Sequence, residues 1–262
     1  MSDQIIGMHE WFQTAAGQTL LDWERAQVDR AVADIFGYHA LQLGLPEMHG
    51  LQANRMPHQW LGVDHAVPLD AAASSVALLT DYAALPFPAN SLDMVLLPHA
   101  LEFSTDPHAT LREVERVLVP EGRVVICGLN PVSLWAMRQR RAHLYQRVGF
   151  GKLFLPAGGE FIGYWRMRDW LRLLGFEIEV GKFGCYRPAV DSAKVLQRFE
   201  WMERAGARWW PIFGAAYFLV AVKRVRGMRL LGPAWKASPK RVGSTVPMTH
   251  SQRDRKMSGT QE

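Results

Sequence analysis

Residues 92–126 read Leu92-Asp-Met-Val-Leu-Leu97-Pro98-His99-Ala-Leu-Glu102-Phe-Ser-Thr-Asp106-Pro107-His-Ala-Thr-Leu-Arg-Glu-Val-Glu-Arg-Val-Leu-Val-Pro120-Glu-Gly122-Arg-Val-Val-Ile126. The first six residues, apolar except for Asp93, form a run that Pro98 breaks, which predicts a buried strand. Asp106 has the side chain of an N-cap, and Pro107 suits the first helical position because its missing N–H is one the helix leaves unpaired anyway. Leu111, Val114 and Leu118 then mark one helical face, and Pro120 and Gly122 stop it. Arg123 to Cys127 follows at once as a second strand. Strand, helix, strand in that order predicts a parallel sheet covered by helices.

The pattern continues on both sides. Upstream, Gln18 to Ile35 reads as an amphipathic helix, with Leu21, Val28, Val32 and Ile35 near one face. Ala40–Leu43 is a strand candidate stopped by Gly44 and Pro46, Trp60–Val63 is another that ends at Asp64, and Val76–Leu79 a third that ends before Asp81. Downstream, Met167, Trp170, Leu171 and Leu174 have helical spacing, with Gly175 as the terminator. Phe176–Val180 and Ala216–Val222 are strands, and a helical insertion from about Asp191 to Arg204 lies between them.

The stretch Asp81-Tyr-Ala-Ala-Leu-Pro-Phe-Pro-Ala-Asn-Ser-Leu-Asp93-Met-Val resembles the D-x-x-x-L-P-F-x-x-x-S-x-D-x-V signature of class I S-adenosylmethionine (SAM) dependent methyltransferases. Arg116-Val-Leu-Val-Pro120-Glu-Gly122 is similar to the family's R-V-L-x-P-G-G, and Trp170–Ile178 resembles its helix with the sixth strand. The resemblance covers roughly residues 36–224. It implies a Rossmann-like, mostly parallel seven-stranded sheet with helices on both faces, and SAM as cofactor at the carboxyl ends of the strands. Residue by residue, it implies Asp81 on the adenine amino group, with Tyr82 following it. It places Asp64 on the ribose hydroxyls, Gly44 in the loop after the first strand, and Pro98 and His99 beside the methionine half. The activity it implies is methyl transfer to an unidentified acceptor. The alternative is a noncatalytic domain of the same fold that holds RNA or an anionic surface.

The chain departs from the family at its first motif. Where the family reads L-x-L-G-x-G-x-G, this chain has Leu41-Gln-Leu-Gly44-Leu-Pro46-Glu-Met48. Pro46 fixes φ and removes a donor, and Met48 brings a side chain where a glycine would let backbone approach the ligand. Asp64 and Asp81 are only 17 residues apart, which leaves Leu69–Ser75 room for about two helical turns. A dinucleotide oxidoreductase is not supported, because no G-x-G-x-x-G follows the first strand.

No catalytic residue is assigned. Transfer from a sulfonium is in-line displacement, which needs positioning first and a base only when the acceptor must lose a proton. His99, Glu102 and His108 lie where a base can reach, and each also reads as a loop or first-turn residue. From Gly122 through Gly159 there is no Asp or Glu, while Arg123, Arg138, Arg140, Arg141, Arg147 and Lys152 are present, with Trp135, Tyr145, Phe150 and Phe154 interleaved. That combination fits an anionic acceptor, RNA, a membrane surface, or a solvated helix face over core aromatics. Trp11 and Phe12 either cover the cofactor or pack on the sheet. Trp201, Trp209 and Trp210 either roof a pocket or dock the insertion.

Composition sets the outer limits. The 262 residues are 48% hydrophobic and 21% charged, enough to bury one sizeable core and far from a disordered or coiled-coil composition. Cys127 and Cys185 cannot build a disulfide framework, no metal-ligand spacing occurs, and the longest apolar run, Ala215–Val222, is too short to span a bilayer. Met1-Ser-Asp-Gln lacks a basic stretch followed by an apolar core, so the expected location is cytoplasmic. The net charge of +5 is concentrated at one end. From Lys223 onward there are ten Lys/Arg against Asp254 and Glu262, whereas the other 222 residues carry 20 basic and 23 acidic groups. The expected organisation is an N-terminal helical cap (1–35), a methyltransferase-like domain (36–224) with helical insertions at about 134–160 and 188–211, and a basic, disordered tail (225–262).

Overall fold

The computed structural model describes Gly7 and residues 10–64, 78–146, 154–155 and 159–224. The expected disordered tail and the short helix expected over Leu69–Ser75 lie outside the described residues.

Residues 10–12 are helical, and helix α1 (Ala15–Val32) follows, with the Thr14 hydroxyl accepting from Gly17 N–H as its N-cap. Strand β1 (His39–Leu43) leads into a 3₁₀ turn at Pro46–Met48, and β2 (His58–Val63), the two-residue β3 (Leu78–Leu79) and β4 (Leu92–Pro98) follow. Helices α2 (Ala100–Phe103) and α3 (Pro107–Val117) precede β5 (Leu118–Leu129). Then come α4 (Leu134–Gln146), α5 (Tyr164–Leu173), β6 (Phe176–Gly184), α6 (Ala193–Arg198), α7 (Trp201–Trp209), a 3₁₀ turn at Pro211–Phe213, and β7 (Ala216–Lys223).

The seven strands form one sheet in the order β3-β2-β1-β4-β5-β7-β6. Strands β1 to β5 pair in parallel, and β7 runs antiparallel between β5 and β6. Side chains alternate across it. Met94, Leu96, Val125, Cys127, Phe218 and Val220 face one core with Leu20, Leu21, Val28 and Val32 of α1. Val95, Leu97, Val124, Ile126, Leu219 and Ala221 face the other with Leu111, Val114, Met167 and Leu171 of α3 and α5. Two covered faces explain why these strands read as continuous apolar runs instead of alternating ones.

Two boundaries differ from the sequence reading. Helix α1 starts three residues before Gln18 and ends at Val32, because Thr14 caps it earlier. Strand β5 begins at Leu118, not Arg123: Leu118 pairs with Leu92, the chain makes a bulge in which Glu121 has φ 66°, and pairing resumes at Arg123 with Met94.

Candidate functional site

The carboxyl ends of β1, β2 and β4 and the turn after β3 meet on one edge of the sheet. Gly44 leaves β1 with φ +79°, and its N–H donates to Gly62 O at 2.8 Å, which continues the β1–β2 ladder by one rung. Leu45 is also left-handed (φ 42°), as is His99 at the end of β4 (φ 56°). Positive φ at non-glycine residues is held only where the surroundings impose it, and such positions concentrate at functional sites. A Cβ on Gly44 would lie 3.2 Å from the Tyr82 hydroxyl, 3.7 Å from Ala100 Cβ and 3.8 Å from Pro98 O. Gly44, Tyr82, Pro98 and Ala100 therefore pack together at the strand ends, and the positive φ at Gly44 is what favours glycine there.

A buried glutamine shapes the degenerate loop. Gln42 Nε2 donates to Gly44 O at 3.1 Å and Leu45 O at 2.8 Å, and Gln42 Oε1 accepts from Gly50 N–H at 3.0 Å. Pro46 and Met48 are buried beneath the turn. The Pro46–Met48 segment is thus packed into the core side, and Gly44 alone of the motif meets the strand-end space.

The acidic candidates stand at its rim. Asp64 is exposed at the end of β2, and Asp81 is exposed in the turn after β3. Asp81 Oδ1 accepts from Ala83 N–H at 2.8 Å, an Asx turn that leaves the other carboxylate oxygen for a further partner. Tyr82 is 6% exposed. Burial pushes its phenol pKa up and the Asp64 carboxylate pushes it further, so the hydroxyl stays protonated.

His99 does not join this group through its side chain. Its ring is 1% exposed and turns into the core, with Nδ1 2.8 Å from Glu102 Oε2 and Nε2 3.0 Å from Glu24 Oε1 of α1. Glu102 Oε1 also accepts from Leu129 N–H. An ionised carboxylate only accepts, and a neutral imidazole has one donor, so serving both glutamates requires the imidazolium. Burial by itself would lower the His99 pKa; the Glu24 and Glu102 carboxylates outweigh it and push it up to about 10. Burial raises the Glu102 pKa against the pull of His99. Sequence reading missed Glu24, although it sits among Leu20, Leu21 and Val28 on the buried stripe of α1, where a carboxylate needs a partner.

The other base candidate, His108, lies with its ring centroid 3.8 Å from that of Trp170 on α5. Trp11 and Phe12 pack in the core with Trp135 and Phe154, and Trp11 Nε1 donates to Phe154 O at 2.6 Å. Trp201, Trp209 and Trp210 are exposed. Among the described residues no group of three or more His, Cys, Asp or Glu could hold a metal ion, and no helix is long and apolar enough to cross a membrane.

Comparison with known proteins agrees with this geometry. Residues 48–126 match the family described as "Methyltransferase domain". Over 144 residues the chain is 34% identical to the uncharacterized protein YafS of Escherichia coli, covering 55% of each chain. Over 88 residues it is 36% identical to malonyl-[acyl-carrier protein] O-methyltransferase 1 of Coxiella burnetii, covering 34% of this chain and 31% of that one. The chain thus aligns with about half the length, or less, of these curated relatives. A SAM-dependent methyltransferase from Archaeoglobus fulgidus shares the fold with a TM-score of 0.52 at 17% identity, covering 78% of this chain and 94% of that one. The strand order and the matched segment lead to one conclusion: residues 48–126 are similar to the methyltransferase domain family, the sheet has the fold of SAM-dependent methyltransferases, and that likeness implies SAM as the cofactor.

Proposed function

We propose that this protein transfers the methyl group of SAM to an acceptor, with the donor held at Gly44, Asp64, Asp81, Tyr82, Pro98 and His99. The observation that carries the reading is the left-handed turn at Gly44, which brings the loop after β1 against Tyr82 and Pro98 at the carboxyl ends of the parallel strands. Asp64 takes the ribose hydroxyls as a charged acceptor at the end of β2, and the unshared oxygen of Asp81 takes the adenine amino hydrogens. Tyr82 closes the floor with its ring. Pro98 and His99 contribute backbone beside the methionine half, since the His99 imidazole is engaged by Glu24 and Glu102. The bound cofactor supplies an electrophilic methyl on a sulfonium centre. The chain's own contribution is orientation at the strand ends, so no fixed base is needed.

The side chains considered as bases support an acceptor that reacts in its ionised form. His99 and Glu102 are buried and paired, and His108 lies against Trp170. A carboxylate, which attacks without losing a proton, is one such acceptor, and the O-methyltransferase relative is in keeping with it.

Calorimetric titration of the full chain with SAM and with S-adenosylhomocysteine tests the reading, repeated on Asp81→Ala and Asp64→Ala. Micromolar binding that weakens tenfold or more in each variant is the expected result. Absence of heat from protein shown by circular dichroism to be folded would overturn it.

A further inference from the structure

Asn130, just past the end of β5, ties two exposed segments to the sheet edge that carries the strand ends of the cofactor side. Its Oδ1 accepts from Val132 N–H at 3.1 Å, and its Nδ2 donates to Ile212 O at 2.7 Å and Gly214 O at 2.9 Å. The Tyr186 hydroxyl donates to Pro211 O at 2.7 Å. The backbone after α7 is therefore anchored, while the side chains it carries are not covered: Trp209 is 75% exposed, and Trp210, Ile212 and Phe213 are exposed beside it. Across Asn130, α4 buries Trp135, Ala136 and Gln139 and leaves Val132, Leu134 and Met137 exposed on its approach and outer face. A fixed backbone that presents large apolar side chains to solvent on both sides of one residue is an unpartnered surface.

Its charge is mostly positive, with Glu200 at the start of α7 the exposed acid beside it. Over residues 131–142 and 201–213 the exposed charged side chains are Arg138, Arg140, Arg141, Arg204 and Arg208. The acid in this stretch, Glu203, is turned inward, to within 3.4 Å of Tyr186 N and 3.5 Å of Arg187 Nε. Arg138 and Arg141 share a helical face with Leu134 and Met137, and Arg204 and Arg208 share one with Trp201. Arginine and tryptophan alternating with aliphatic side chains matches the lipid interface, where indole rings sit at headgroup depth and arginines meet anionic headgroups.

We propose that this edge docks on an anionic lipid bilayer. RNA also pairs with arginine and stacks on tryptophan, but Val132, Leu134, Met137 and Ile212 gain nothing from stacking, whereas they gain from entering the acyl boundary. The inference stands apart from methyl transfer and does not depend on it.

Co-sedimentation of the full chain with vesicles of phosphatidylcholine alone and of phosphatidylcholine with 30% phosphatidylglycerol tests it, at about 0.1 M salt. Binding is expected on the anionic vesicles. Trp209→Ser with Trp210→Ser is expected to lower the partition coefficient about tenfold, and each of Arg204→Ser and Arg208→Ser about fivefold. All four side chains are exposed, so melting should be unchanged, and circular dichroism checks it. The basic C-terminal segment is intact in every variant, so wild-type partitioning by the tryptophan double variant would assign binding to that segment and overturn the proposal. Failure to bind anionic vesicles would overturn it too. So would a single-stranded RNA oligonucleotide, or a second copy of the chain seen by light scattering, bound through these side chains in place of vesicles.

Discussion

Glu24 and His99 meet at 3.0 Å across 75 residues of sequence, both in the core, and join α1 to the carboxyl end of β4. With Glu102 on the other ring nitrogen, the trio carries one positive and two negative groups. Its members are unequal as a result, and the inequality can be measured.

Loss of the cation leaves two buried carboxylates facing each other. His99→Leu is expected to destabilise the fold by about 3–5 kcal/mol. Glu24→Gln keeps an acceptor for Nε2–H and leaves a neutral imidazolium–carboxylate pair, so its cost is about 1 kcal/mol or less. Urea unfolding of the two variants checks the order, and equal losses would show that the charge count is wrong.

The same trio makes stability fall on the alkaline side. His99 has an ordinary pKa of 6.5 and is pushed up to about 10 in the fold by Glu24 and Glu102 acting against burial. Between those values the native state binds a proton that the unfolded chain has lost. The contribution is complete below about pH 6.5 and disappears as pH rises through 10, with a slope on the order of 1 kcal/mol per pH unit. The raised Glu102 pKa acts in the same direction, from a lower starting pH. Urea midpoints at pH 7, 8 and 9 should drop steadily, and in Glu24→Gln the drop should be smaller and level off at lower pH. A flat profile in the wild-type protein is the contrary result.

Gly44→Ala tests the turn after β1. At φ +79° an alanine is strained by about 1–2 kcal/mol, and its Cβ would press on the Tyr82 hydroxyl from 3.2 Å. Stability should fall by about that amount, and SAM affinity by tenfold or more, because relieving the strain shifts the loop and the Tyr82 side chain proposed to meet the ligand. Unchanged affinity in calorimetry would move the donor site away from Gly44.

Gln42→Leu tests the loop. The glutamine satisfies Gly44 O, Leu45 O and Gly50 N–H in the core, and leucine leaves all three without that partner. The expected loss is about 2–3 kcal/mol, with faster amide exchange at Gly50. Protection equal to wild type would mean that packing of Pro46 and Met48 holds the turn without Gln42.

Much of the fold is legible in the sequence because its signals are local. Asp106 and Pro107 cap α3, the apolar run from Leu92 marks β4, and Gly175 at φ 84° ends α5 as its position suggests. Where a local signal has two readings, packing chooses. Pro120 and Gly122 read as the gap between helix and strand, yet β4 offers a partner at Leu92, so β5 starts at Leu118 and takes the proline and glycine into a bulge. The same limit applies to the site. The order of Gly44, Asp64, Asp81 and Pro98 along the chain determined which strand ends they occupy, because parallel strands alternating with helices put those ends on one edge. The direction of each side chain was decided by tertiary structure. His99 looks like an active-site base in sequence, and a carboxylate 75 residues away turns it into the core instead. Charge and hydrogen-bond satisfaction in a dry interior depend on residues distant along the chain, and no spacing rule within one segment encodes them.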